Sequence, residues 1–247
     1  MEKATYSVVF ANIDWNKFRE QEFLDIAMRT KADGILINPL CVSEEKITAS
    51  KIPTVILGIR PGFPNLDMVG SDSYQATIIA LEYLYALGHR KIGFLMGKSE
   101  VASSSSRLQS YQEFCIQNNL PIDQDEVVEV TFDSKGGMLG MKQLLNHQEI
   151  PTAILASNDL IALGAMQVAT ENGYAVPGDI SIIGIDNIHA ASLTNPPLTT
   201  IRKMKYDIGC KAAEILLSKL SEGKSSQPQV IKIPCQLIVR GSTQEIF

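Results

Sequence analysis

Apolar positions along this chain follow two periods in turn. From Phe18 to Thr30 they fall at Phe18, Phe23, Leu24, Ile26, Ala27 and Met28, a spacing that predicts a helix. Gly34-Ile35-Leu36-Ile37 and Pro53-Thr54-Val55-Ile56-Leu57 are continuous apolar runs of the kind found in strands buried on both faces. Tyr6–Phe10 is a further short β-rich run. Ser73–Leu87 returns to helical spacing through Ile78, Ile79, Leu81, Leu84, Tyr85 and Leu87, and Gly88 stands where a left-handed residue stops a helix. Lys91–Met96 reads as a strand. After a polar stretch, Lys98–Ser106, the alternation resumes with Arg107–Asn119 helical, Val127–Val130 a strand and Gly137–His147 helical. Thr152–Ala156 is then a strand, Leu160–Asn172 a helix ended by Gly173, and Ile180–Ile185 a strand. Asp207–Leu220 is a helix, residues 222–226 a loop, and Val230–Val239 a closing β-type segment.

Strands alternating with helices of this length imply βαβ units and parallel sheets, with right-handed crossovers placing helices on both faces. The polar break near residues 97–103 divides two such runs, so two doubly wound α/β lobes with a cleft between them are expected. Open parallel sheets bind ligands beyond the carboxyl ends of their strands. The expected mouth of the site is therefore the set of strand-to-helix turns.

The chain has 247 residues, 45% hydrophobic and 20% charged, which suits a globular protein with a substantial core. Its net charge of −5 argues against a direct grip on nucleic acid by these residues, because such a chain is usually basic. No apolar run is long enough for a transmembrane helix and the start carries no export-signal pattern, so a cytoplasmic protein without membrane contact is expected. Cys41, Cys115, Cys210 and Cys235 are far apart and lack metal-ligand spacing, so no metal and no cofactor is expected.

Neither a dinucleotide-binding glycine fingerprint, nor a phosphate loop, nor a nucleophile elbow is present, so no catalytic residue is assigned and an enzyme is not expected. The chemistry-bearing residues stand at strand ends instead. Asp72 precedes the helix of 73–87, Asn158 and Asp159 follow the strand ending at Ala156, Asp186 follows the one ending at Ile185, and Arg107 opens a helix. Carboxylates and amides there can exchange hydrogen bonds with ligand hydroxyls, and an arginine fork can hold two oxygens. Each has a plainer alternative. Asp72, Asn158 and Asp159 are good helix caps, Asp186 suits a turn, Arg107 can pair a surface acid, and Phe132 can be core.

Several segments, in order, resemble the LacI/GalR family of bacterial transcription regulators. They are Ala32-Asp33-Gly34-Ile35-Leu36-Ile37, Leu87-Gly88-His89-Arg90-Lys91-Ile92-Gly93, and Pro151–Asp159 with Ala162-Leu163-Gly164. Val176–Asn187 continues to Pro197-Leu198-Thr199-Thr200-Ile201, and Ile238-Val239-Arg240-Gly241-Ser242-Thr243 closes the series. The resemblance implies a periplasmic-binding-protein-like ligand sensor of two lobes joined by three crossings. One lobe would hold residues 1–97 with 205–228, the other 98–204 with 229–247. It implies a homodimer and a small effector, a sugar or a purine-like molecule. It places Arg107, Asn158 and Asp186 on effector-contacting positions, Phe132 on a stacking aromatic, Asp72 and Ser103 on occasional contacts, and Lys203 near the hinge. Ser110 stands where the family has glycine in its R-x-x-G-Y segment. The family's DNA-reading helix-turn-helix has no counterpart here, so DNA would be bound only through that absent part. The first strand and helix of the sensor are also missing. That omission is expected to leave a gap in the first sheet, with unpaired backbone and exposed apolar surface. A sugar-transporter solute-binding protein, which shares the two-lobed fold, is the alternative reading.

Overall fold

A computed structural model of the chain describes residues 6–14, 16–99, 101–122, 124–222 and 227–246. Its elements run α1 (Lys17–Arg29), β1 (Ile35–Ile37), α2 (Glu44–Ala49), β2 (Thr54–Leu57), β3 (Asp67–Ser71), α3 (Ser73–Ala86) and β4 (Ile92–Gly97). They continue with α4 (Ala102–Gln117), β5 (Val127–Val130), α5 (Ser134–Leu145), β6 (Ala153–Ala156), α6 (Asp159–Glu171) and β7 (Ser181–Ile185). The last are β8 (Thr199–Lys203), α7 (Lys205–Glu222), β9 (Val230–Ile233) and β10 (Cys235–Ile238). The chain divides into two compact units, residues 1–71 with 204–233 and residues 72–203 with 234–247, so it crosses between them three times.

The first unit is built on an all-parallel sheet of order β1-β2-β3-β9. One of its cores gathers Leu24, Val42, Ile47, Ile56, Phe63 and Met68, and another gathers Val55 and Val69 with Ala212 and Leu216 of α7. Burial of both strand faces explains the unbroken apolar runs. α1 starts where the Asn16 side chain accepts from the N–H groups of Phe18 and Arg19. One turn later Glu20 points inward and its carboxylate accepts from the N–H groups of Leu40, Cys41 and Val42. Burial opposes the charge on Glu20, but the Cys41 thiol and these three donors outweigh it and lower the pKa below its usual value.

The second unit carries a six-stranded sheet of order β10-β8-β7-β6-β4-β5, parallel except where β10 runs against β8. Ala76, Leu81 and Leu84 of α3 pack with Tyr111 and Phe114 of α4 on one sheet face, and α5 and α6 cover the other through Met141, Leu144, Ile161 and Ala165. Gly88 ends α3 at φ +96°, the left-handed stop the sequence calls for. The motif segments meet here. His89 bridges the Thr152 hydroxyl and the Gln244 carbonyl, while Ser242 accepts from Thr199 N–H and donates to Ile182 O.

Four expectations are corrected. The lobes do not divide at residue 97: β4 pairs with both β5 and β6, which puts residues 72–97, Asp72 among them, in the second unit. The closing segment is not one strand, because Pro234 has no N–H to donate and the chain breaks there. β9 joins β3 of the first unit and β10 joins β8 of the second, so residues 229–233 belong with the first unit. Arg107 does not open its helix: α4 begins at Ala102 and includes the serine run. Tyr6–Phe10 forms no strand, having no ladder partner among the described residues; Val9 and Phe10 are 91% and 96% exposed.

Candidate functional site

Every residue singled out from the sequence as a ligand contact lies in the second unit. β4 to β8 run parallel, so their carboxyl ends share one edge of the sheet. Five of the candidates follow from that arrangement, while Asp72 follows β3 of the other sheet and Ser103 lies in the first turn of α4. Phe132 comes just after β5, Asn158 just after β6 and Asp186 just after β7, and Lys203 is the last residue of β8. Arg107 sits in the second turn of α4, the helix that follows β4. β10 enters antiparallel with Cys235 opposite Lys203, so this thiol joins the same edge.

Arg107, Asp186 and Lys203 form the charged centre. Lys203 Nζ is 2.7 Å from Asp186 Oδ1, with both side chains about one-fifth exposed. Arg107 is 2% exposed, and its Nε has no hydrogen-bond partner among the described residues. Burial pulls the Arg107 pKa below its usual value, and Asp186 and Cys235 oppose that shift only through space. Lys203 is lowered too, first by burial and then by the Arg107 charge, with Asp186 working against both. Burial raises Cys235, an effect the two cations partly offset and Asp72 reinforces.

The backbone at Asp186 is strained. Its φ is 125° and that of Asn187 is 51°, left-handed values that side chains beyond Cβ seldom adopt. Such a conformation costs about 1–3 kcal/mol and persists only where its surroundings enforce it. The enforcing group is Asp159, fully buried. Its Oδ1 accepts from Thr200 Oγ1 at 2.5 Å and its Oδ2 from Ile188 N–H at 2.8 Å. Thr200 Oγ1 in turn accepts from Asn187 N–H, and Arg240 donates to Asn187 Oδ1 and to Leu198 O. Gly184 lets the carboxylate in, since a Cβ there would stand 2.4 Å from Asp159 Oδ1.

The remaining candidates are more committed to structure. Asn158 caps α6, its Oδ1 accepting from Ile161 N–H, and its Nδ2 donates to Phe132 O. That amide thus ties two candidates together and keeps one N–H and one lone pair for other use. The Phe132 ring lies over Gly97, where a Cβ would meet ring carbons at 2.0 Å. Asp72 caps α3 through Gln75 N–H. Ser103 is half-buried in the first turn of α4 and is linked to none of the others among the described residues. Sequence reading missed Ser104, which is fully buried with an unpartnered Oγ, and the positioning role of Asp159. The serine run was the available signal for the first, obscured by being read as a polar linker.

A groove lined by Asp125, Val127, Glu129, Gln143 and His147 lies along the outer edge of β5 and holds none of these residues. Among the described residues no group of three or more His, Cys, Asp and Glu is placed to hold a metal ion. No described helix is long and apolar enough to cross a membrane.

Residues 81–243 match the family model of the periplasmic binding protein-like domain. The chain is 31% identical over 245 residues to the HTH-type transcriptional repressor PurR of Histophilus somni (strain 129Pt), covering 98% of this chain and 73% of that protein. Its fold is similar to that of the transcription regulator CcpA of Lactococcus lactis, with a TM-score of 0.89 and 25% identity over 98% of this chain and 90% of that one. It is also similar to a LacI family transcriptional regulator from Enterococcus faecium solved with bound ribose, with a TM-score of 0.82 and 25% identity over 92% and 85% of the two chains. The parallel sheets, the motif segments bonded to one another within the second unit and these likenesses agree: the chain belongs to the LacI/GalR family of transcription regulators, as a periplasmic-binding-protein-like effector-binding domain.

Proposed function

We propose that this domain senses a small effector, a sugar or a purine-like molecule, at the carboxyl edge of β4–β8, and that the intact protein uses the binding to control its hold on DNA. The observation that carries the reading is Arg107, 2% exposed with a buried, partnerless Nε, beside the strained Asp186. Burying a charge without hydrogen bonds costs stability, and strained backbone collects at functional sites. A ligand that accepts from Arg107 and donates to Asp186 recovers part of both costs. Phe132 and Asn158, joined by a hydrogen bond, add a ring and an amide to the same edge, where Lys203 ends β8, and Asp72 and Ser103 are proposed as further contacts. The repressors named PurR support the purine class, and the ribose-bound relative supports the sugar class.

The regulatory step follows from differential affinity. An effector that binds one state of the sensor better shifts the population toward it by the ratio of its affinities. In a homodimer, the arrangement we propose for the intact protein, the shift would be passed to DNA-reading parts outside this chain. The protein would act in the cytoplasm and turn over no substrate.

A thermal-shift screen of the purified chain against sugars, sugar phosphates, nucleosides and purines tests the reading. A ligand at 100 times its Kd adds about 2.7 kcal/mol to the native state. A selective stabiliser whose effect disappears in Arg107→Ala and Asp186→Ala is expected. A stabiliser equally effective on both variants would overturn the site.

A further inference from the structure

The charges around Arg107 do not balance. Two cations, Arg107 and Lys203, share one carboxylate, Asp186, and Lys203 Nζ already holds it at 2.7 Å. The other ionisable groups nearby do not restore neutrality. Cys235 is a thiol whose pKa burial raises, and the carboxylate that acts on both cations is Asp186, whereas Asp72 acts on Cys235. Arg107 is 2% exposed, so water does little to screen its charge.

Polar capacity is unspent on the same helix. α4 starts at Val101, which gives no side-chain cap; Ser104 N–H turns back to Val101 O, and the N–H groups of Ala102 and Ser103 have no partner among the described residues. Ser104, in the first turn, is fully buried with no partner for its Oγ. It lies three residues before Arg107, hence on the same helix face. A buried hydroxyl, a buried guanidinium with a free Nε and an uncapped helix start are together unsatisfied donors. A neutral ligand would accept some of those hydrogen bonds but would leave a surplus positive charge out of water. An anionic oxygen pair would answer both demands, because charge-assisted bonds to an arginine fork are the strong ones.

We propose that the effector carries an anionic group, a carboxylate or a phosphoryl group, received by Arg107, Ser104 and the open start of α4, with Lys203 as the residue that sets this preference. The inference rests on the sensing role proposed above and narrows it to one ligand class. Lys203 bridges the incoming anion and Asp186, which leaves the second Asp186 oxygen free to accept from a ligand hydroxyl.

The experiment is calorimetric titration of the whole chain with matched pairs: ribose and ribose 5-phosphate, glucose and glucuronate, inosine and its 5′-monophosphate. Inorganic phosphate and acetate serve as bare anion probes, all at constant ionic strength. The charged member of at least one pair is expected to bind at least about tenfold more tightly than its neutral partner, the span of one charge-assisted bond. Lys203→Gln should close that gap and Lys203→Arg should restore it, while both variants keep the wild-type melting transition within a few degrees. The phosphate pairs and the glucuronate pair distinguish the two anion sources. A neutral member that binds as tightly as its charged partner, with binding lost in Arg107→Ala, overturns the anion inference and leaves the sensor intact. Failure of every probe, bare anions included, counts against the sensor reading and takes this inference with it.

Discussion

Arg107 is a residue the fold holds at a cost. Its guanidinium is buried and its Nε unpartnered, a condition that natural chains tolerate where function needs it. Arg107→Met should therefore raise the melting temperature of the ligand-free chain, by about 1–3 kcal/mol of stability, while abolishing the response to effector. Thermal melts with and without ligand would show it, and a variant less stable than the parent would refute the unpaired-charge argument. Asp159 behaves in the opposite way. Its carboxylate holds Thr200 and the loop that carries Asp186, so Asp159→Ala should cost about 2–4 kcal/mol and weaken ligand binding together. His89 sets a pH limit. Burial lowers its pKa from 6.5, so the native state keeps it neutral while the unfolded chain takes up the proton. The stability tied to His89 is complete above 6.5 and declines as pH falls below it, by up to about 1.4 kcal/mol per unit. Melts between pH 7.5 and 5.5 should fall accordingly, with a flatter decline in His89→Gln.

Among the elements, α5 and α6 approach so closely that glycine is required on both. A Cβ on Gly164 would stand 2.0 Å from Ser134 O, and one on Gly137 would stand 2.0 Å from Ile161 O. Gly164→Ala should cost about 3 kcal/mol, a drop of roughly 6–12 °C in melting temperature. Sequence reading found most elements because the long amphipathic helices and the doubly buried strands announce themselves by period. It missed β3, where Asp67-Met68-Val69-Gly70-Ser71 breaks the apolar run with a carboxylate that pairs Lys219. It missed β8 because Thr199 and Thr200 look polar, although both are buried and spend their hydroxyls on Asp159, Thr243 and the Arg240 backbone. Asp72, Asn158 and Asp186 were legible by position, since strand ends can be counted along a chain, whereas Phe132, Ser103 and Lys203 came only from the family resemblance. What the candidates do was not legible. Whether Asn158 caps or contacts, and whether Arg107 is paired or bare, depends on neighbours far away in sequence.

Across both units, the sheets end in edge strands, β1 and β9 in the first and β10 and β5 in the second. β1 has a neighbour on one side only among the described residues, and the apolar Val8, Val9 and Phe10 stand exposed. Protection against a protease should accordingly begin near α1. Limited proteolysis followed by mass spectrometry should place the first cuts within residues 6–14, and early cuts within residues 72–203 would contradict this placement.

The three places where the chain passes between units lie at Ser71–Asp72, Lys203–Met204 and Ile233–Pro234. Each is within two residues of a group at the charged site: Asp72 and Lys203 flank the first two, and Cys235 follows the third. On the sensing role proposed above, a ligand gripped there would act on the joints themselves, as a hand on a fulcrum rather than at the end of a lever. A shift of Lys203 would then enter the backbone that leaves the unit at the very next residue.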